Sequence, residues 1–329
     1  MMKLLELDFK DALNTGKLII IKLLNIKPNE KVLIIADSET NRKMIESLIS
    51  TLEHIGAEYM LSIIPRKLKD HTTLPSIAQK CLSEADVVIG LTKASAAPSY
   101  DPEVARLLKE KKIRYMSMVL RDLSNWTEGA ALADYDIVYE KAKKLSNALQ
   151  NREVVELESE SGTKLRALMK NSRIIIEAGF ATKPGESAAF SDGEVSFTPT
   201  EGTAEGTVVI DGPITYLGKL SKPLKLTIKK GKVVNVEGGK EAETIKKWLK
   251  EVENFNNFAE IGIGVNYTAR KNGDWQEEKK KEGNIHIALG DNIYYGGTIK
   301  CNLHVDMVIY NATLKADGET IVKNGKLLI

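Results

Sequence analysis

The sequence predicts an α/β amino-terminal domain with a mainly parallel sheet, residues 1–150, followed by a β-rich α+β domain, residues 151–329. Three observations carry this. The first half alternates short aliphatic runs with amphipathic segments of helical period, the pattern of a parallel sheet covered by helices. After Val154 the texture changes to short strands punctuated by glycine and turn dipeptides. The chain of 329 residues, 43% apolar and 28% charged, has the composition of a soluble globular protein and room for two cores.

Residues 1–24 mix Lys, Asp and Glu with aliphatic residues in a helical pattern, and no secretory signal is expected there. The apolar stretch Leu18–Leu24 is broken by Lys22 and falls short of the roughly 20 residues that span a bilayer. Lys31 to Ala36 reads as a buried strand. Thr40 to Gly56 is expected as a helix, with Met44, Ile45, Leu48, Ile49 and Leu52 on one stripe and Gly56 as its stop. Strands are expected at Glu58 to Ile64, Ala85 to Leu91 and Arg114 to Leu120, and helices at Ile77 to Leu82 and Pro102 to Lys112. No Gly-x-Gly-x-x-Gly or Walker pattern follows any of these strands, so a dinucleotide or nucleoside triphosphate site lacks support. Asp37-Ser38-Glu39-Thr40 and Thr92-Lys93-Ala94-Ser95 stand where open α/β sheets place ligands, although helix capping accounts for the first.

The helix Asp136 to Leu149 is expected to link the halves. Strands then follow at Val154 to Ser159, Ile174 to Ile176, Gly193 to Phe197, Gly206 to Ile210, Leu224 to Lys229 and Lys232 to Glu237. One helix, Glu241 to Val252, turns Ile245, Trp248 and Leu249 inward.

Net charge is +2, which offers no basic field for nucleic acid. The mixed-sign run Glu277–Glu282 is expected as a solvated loop. The two cysteines, Cys81 and Cys301, lack CxxC spacing, which argues against a disulfide framework or a thiolate zinc site. Cys301, close to His304, reads as a buried apolar thiol. A cytoplasmic protein with no membrane partner is expected, and the wealth of Lys and Glu is compatible with a thermophile.

The chemistry is expected in the second domain. Of four histidines, His54 and His71 fall in a helical segment and a polar loop. His286 and His304 instead sit in aliphatic strands. On a strand, residues two apart share a face, so His304 and Asp306 project together, a plausible half of a metal site. A histidine bonded to a carboxylate is also a common structural feature. Burying His286 alone would cost about 1–3 kcal/mol without a partner. Glu194 opens a strand after the turn at Asp192-Gly193. Glu260 lies in the apolar, glycine-rich stretch Asn257–Asn266 with no Lys or Arg within several residues. A metal ion is a natural compensator for such a carboxylate, a distant arginine the other option.

The order of Asp192-Gly193-Glu194-Val195, Ala259-Glu260-Ile261-Gly262, His286-Ile287-Ala288-Leu289-Gly290 and His304 with Asp306 resembles the aminopeptidase T/aminopeptidase S family of thermophilic metalloaminopeptidases. The resemblance spans most of residues 155–318 and is looser over 1–150, where that family also has an α/β domain. It implies that Glu194, Glu260, His286, His304 and Asp306 ligate divalent metal, which makes the second domain the metal-binding one, and that the protein is a homodimer. Two features depart from the peptidases. The family's tyrosine seven positions after the first His is Ile293 here, with Tyr294 and Tyr295 next, and the chain is short. The sequence looks closer to a compact branch that includes 2,5-dihydroxypyridine dioxygenase.

The first reading is therefore an aminopeptidase-like hydrolase acting on a small peptide with a free N-terminus. Two zinc, cobalt or manganese ions would activate water, and Tyr294 or Tyr295 would assist as catalytic groups at the oxyanion. The alternative is a non-haem iron(II) dioxygenase acting on a small hydroxylated aromatic. There His286, His304 and Asp306 would hold one Fe2+, with Glu194 and Glu260 behind them. A metal-free binding protein is the third class, disfavoured by the presence of all five ligand types. Glu186, Asp192 and Glu201 are candidate general bases that read equally well as turn or surface acids.

Overall fold

Aliphatic runs without alternation need cover on both faces, and helices supply it in the first of two compact units. The computed structural model describes residues 2–66, 73–93, 97–119 and 122–329, so His71, Ala94, Ser95 and Leu120 of the readings above lie outside it. The strands Glu58–Ile64, Lys31–Asp37, Val87–Thr92, Arg114–Val119 and Ser187–Ala189 form, in that order, one sheet of parallel neighbours. Lys31–Asp37 and Val87–Thr92 are buried almost throughout. On one face Leu33, Ile35 and Val88 pack with Ala78 and Leu82 of the helix Ser76–Leu82 and with Val104 and Leu107 of the helix Pro102–Lys109. The helix Arg42–Ile55 buries Met44, Leu48 and Leu52, takes Asn41 as its N-cap and ends at Gly56. Leu18–Leu23 continues the first helix as a π-helical turn burying Ile19, Ile20 and Leu23. Arg114 is buried in this unit, its guanidinium forked onto Glu30 at 2.9 and 2.6 Å.

The α/β class with a mainly parallel sheet, followed by a β-rich region, is as expected, but the division of the chain falls elsewhere. The first unit comprises residues up to Leu132 together with Ala178–Asp192, and the second comprises Ala133–Glu177 and Gly193–Ile329. Two pieces account for the difference from a boundary at residue 150. The helix Tyr135–Leu149 packs on the strands Ile175–Glu177 and Glu194–Phe197 of the second unit. Ser187–Ala189 returns to the first, beside Arg114–Val119.

The second unit holds two antiparallel sheets. One has eight strands, including Val154–Glu158, Lys164–Leu168, Leu224–Lys229 and Lys232–Glu237. The other has five, in the order His304–Ile309, Ile285–Gly290, Phe258–Gly264, Glu194–Phe197, Ile175–Glu177. In this second sheet the odd positions Val195, Phe197, Ile261, Ile263, Ile285, Ile287, Leu289, Val305, Met307 and Ile309 are all fully buried and apolar. The even positions of the same four strands carry the polar residues of interest. Among the described residues no helix is long and apolar enough to cross a membrane.

Candidate metal centre

Register places the donors. Across the five-stranded sheet Glu260 pairs with Ala288 and Ala288 with Asp306, while His304 pairs with Gly290, Gly262 with His286, and Glu194 with both Gly264 and Glu177. Cross-strand partners share a face, so Glu194, Glu260, His286, His304 and Asp306 all project from one side. The two glycines of Gly262-Ile263-Gly264 make the space. A Cβ on Gly262 would lie 2.1 Å from His286 Cε1, and one on Gly264 would lie 2.2 Å from the Lys281 carbonyl oxygen. The first absence admits the imidazole, the second the backbone of Lys280-Lys281.

Glu260 is the shared member. Its Oε1 is 3.3 Å from His286 Nε2 and its Oε2 is 2.9 Å from His304 Nε2. Asp306 Oδ1 lies 3.1 Å from His304 Nε2, and Glu194 Oε2 lies 3.6 Å from His286 Nε2. The donor atoms thus fall into two groups, Glu194–Glu260–His286 and Glu260–His304–Asp306, each spanning no more than 4.8 Å. The expected set of His286, His304 and Asp306 is divided between them. His304 Nδ1 is 2.8 Å from the Asp291 carbonyl oxygen and donates to it, which leaves Nε2 facing the carboxylates.

The run Glu277–Glu282 is the principal correction to the sequence reading. Glu277, Glu278, Lys279 and Lys280 are buried, not solvated, because each charge has found a partner. Glu277 accepts from Arg270 at 2.9 Å and Asn272 at 2.7 Å, and Glu278 accepts from the Tyr310 hydroxyl and the Gly273 amide. Lys279 Nζ stands 3.2 Å from Glu194 Oε1 and 3.1 Å from Asp306 Oδ2, while Lys280 Nζ is 2.8 Å from Glu194 Oε1. Cationic compensation therefore reaches the acids from a segment distant in sequence. The flanking Asp274-Trp275, an N-cap before a large apolar residue, was the one local sign that this run is anchored.

Burial alone would raise the carboxyl groups; the cations reverse it. Lys279 and Lys280 hold Glu194 well below the carboxylate range, and hydrogen bonds from His286 and His304 lower Glu260. Asp306 is held well below its usual range by Lys279 and His304. Burial would lower His304, but Asp306 and Glu260 raise it well above the usual imidazole value, so without a metal it is the proton-bearing partner of both.

Of the two tyrosines, Tyr295 is buried and stacks on the His304 ring, with centroids 5.5 Å apart and planes 24° from parallel. Tyr294 is 49% exposed and meets Tyr295 edge to face at 5.2 Å. Burial and the charges of Glu260, Glu177 and Asp306 push the Tyr295 phenol well above its usual value, so it stays protonated. Ile293 points outward. Two of the candidate bases are structural acids: Glu186 accepts from the Thr182 and Lys183 amides, and Glu201 from Asn292 and Thr298. Asp192 is fully buried and belongs to the first unit.

The donor set suits a divalent cation. It is largely buried, converges from four strands, and mixes hard carboxylate oxygens with imidazole. His286 Nδ1 is buried without a hydrogen-bond partner, so the ring is held only through the Nε2 edge that faces the acids.

A parallel α/β unit joined to a β-rich unit with a buried carboxylate–imidazole cluster defines a class of two-unit enzymes with a metal-type centre. Residues 19–329 match the NicX family, described as 2,5-dihydroxypyridine 5,6-dioxygenase, and the chain belongs to that family. It is 26% identical over 202 residues to a curated 2,5-dihydroxypyridine 5,6-dioxygenase of Pseudomonas putida strain KT2440, a match that spans 55% of each chain. The solved 2,5-dihydroxypyridine dioxygenase from the same strain superposes with a TM-score of 0.79 at 19% identity, covering 96% of both chains. AmpT from Thermus thermophilus superposes at 0.72 with 15% identity, covering 97% of this chain and 99% of that one. At such identities the two superpositions establish the fold. The hydrolase, aminopeptidase and metalloprotease reading is overturned by the family and by the curated relative; what AmpT shares with this chain is its fold, and a fold hosts several chemistries.

Proposed function

We propose that this chain is a metal-dependent dioxygenase that opens the ring of a small hydroxylated N-heteroaromatic of the dihydroxypyridine type. The observation that carries this is the family match over residues 19–329, a span that contains the whole donor cluster. The ligands are Glu260, His304 and Asp306, the group with an outward-facing edge: His304 is partly exposed, whereas His286 is sealed. This set has one imidazole and two carboxylates in place of the two-histidine set. Bound iron(II) would supply the open positions and electron donation that dioxygen and a ring hydroxyl require.

The chain's own residues prepare that place. The Asp291 carbonyl fixes the His304 tautomer so that Nε2 is available to the ion. Tyr295 lies flat against the same ring and keeps water from one side of it. The second oxygen of Asp306 is engaged by Lys279, which sets the orientation of the carboxylate. The exposed Tyr294 ring at the rim offers an aromatic face to a planar substrate.

Ring opening by dioxygen places both oxygen atoms in the product and consumes no external reductant. The test is oxygen uptake by protein purified without chelators or air, loaded with Fe(II) and given 2,5-dihydroxypyridine. About one dioxygen per ring, with loss of the aromatic absorbance, is the expected result. Folded, iron-loaded protein that takes up no oxygen with any dihydroxypyridine sinks the proposal.

A further inference from the structure

The least ordinary feature of the cluster is the pair of ammonium groups inside it. Lys279 Nζ touches Glu194 and Asp306, which belong to the two different donor groups, and so stands between them. Lys280 Nζ meets the same Glu194 oxygen at 2.8 Å. Neither side chain reaches in from solvent: the two expose 10% and 3% of their surface. Their backbone is fixed as well. The Lys280 carbonyl accepts from the Asn266 amide at 2.9 Å, and the segment packs where Gly264 has no side chain. A lysine is normally a mobile surface charge, and burying two side by side is unfavourable unless they answer a definite negative charge.

That charge can be counted. The carboxyl groups of Glu194, Glu260 and Asp306 face the lysines, and Glu177, paired with Glu194 across the sheet, also acts on Lys279. With all four ionised and His304 neutral, as an imidazole ligand must be, the two ammonium groups leave a deficit of two charges, which one divalent ion closes. A second divalent ion would make a buried site strongly positive, with an ammonium group fixed beside the oxygens it would need.

We propose that Lys279 and Lys280 are a built-in cation standing in the place of a second metal ion, so that the cluster takes one divalent ion, in the Glu260–His304–Asp306 half. This rests on the ligand set proposed above and is independent of the reaction catalysed. Glu194 then serves as the seat of the lysine pair, and its role is to hold Lys279 against Asp306.

The test is stoichiometry with cobalt(II) as the probe, read by elemental analysis after gel filtration and by the visible absorption of the bound ion, on the full chain. The wild type is expected to retain one cobalt per chain. E194Q should also retain one, while the K279M/K280M double variant, and K280M by itself in part, should accept a second. Two cobalt ions in the wild type would overturn the inference while leaving the ligand set intact. A folded double variant that stays at one ion would also overturn it, as would loss of the ion in E194Q. Should the double variant not fold, the wild type and E194Q decide the matter. No cobalt in the folded wild type would refute the ligand set and the inference together; loss of the ion in D306N but not in E194Q separates the two halves directly.

Discussion

Gly262 is the position where the geometry makes its sharpest demand. An alanine there would put a methyl group 2.1 Å from His286 Cε1, 2.4 Å from Nε2 and 2.9 Å from Nδ1. The ring is fully buried and cannot swing to solvent, so the strand or the imidazole has to move. Overpacking of this kind costs about 1–3 kcal/mol. At about 2–4 °C per kcal/mol for a unit of this size, Gly262→Ala should melt several degrees below the wild type. The clash is with one side chain, so a double-mutant cycle isolates it. In a His286→Ala background the methyl group has space, and glycine removal even restricts the unfolded chain, so the second substitution should cost less than about 0.5 kcal/mol. Chemical denaturation of the four proteins measures both numbers. Equal penalties in the two backgrounds would show that the imidazole does not occupy the space above Gly262, and the register argument for the cluster would fail with it.

Two further outcomes can be checked with simple variants. Glu30→Gln should destabilise the first unit by about 1–3 kcal/mol, less than a fully buried pair because Glu30 is partly exposed, since it leaves buried Arg114 with a neutral partner. Burial would raise Glu30, but Arg114 lowers it below 4.5, so its contribution is present above that pH and is lost as pH falls through the lowered value. Urea titrations at neutral pH and near pH 3 should therefore show the wild-type advantage shrinking, and an advantage unchanged at acid pH would contradict the pairing. Tyr295→Ala removes the stack on His304 and should weaken metal binding on the order of tenfold, while Tyr295→Phe keeps the stack and most of the affinity. Equal losses in both would move the role of Tyr295 from its ring to its hydroxyl.

The alternation of aliphatic runs and helical stripes in the first half, and the short glycine-framed strands in the second, were legible because both depend on local periodicity. So was the grouping of Glu194, Glu260, His286, His304 and Asp306, polar residues set among aliphatic ones in their strands. What stayed hidden depends on contacts distant in sequence. Ser187–Ala189 is three residues long, and only its partner Arg114–Val119 makes it a strand. The run Glu277–Glu282 has the same composition whether solvated or buried; Arg270, seven residues before Glu277, and the distant Tyr310 and Glu194 decide it. The division of His286 and His304 between the two oxygens of Glu260 likewise follows from cross-strand register, not from the spacing of the histidines.

The alternation of the five-stranded sheet, interrupted by a bulge between Phe258 and Glu260, has a consequence for how this chain can change. In its four longer strands the core occupies the odd positions and the donors the even ones. Inserting or deleting one residue within Ile285–Gly290 or His304–Ile309 would turn imidazole and carboxylate into the oily interior and expose Ile287 or Met307 in their place, losing site and stability at one stroke. The connection Asp291–Leu303 is bound to the site through Asp291 and Tyr295, which meet His304, but its exposed stretch around Ile293 and Tyr294 can change while both registers hold. Variation in what the centre admits is therefore confined to that connection, and the strands themselves can vary only by substitution.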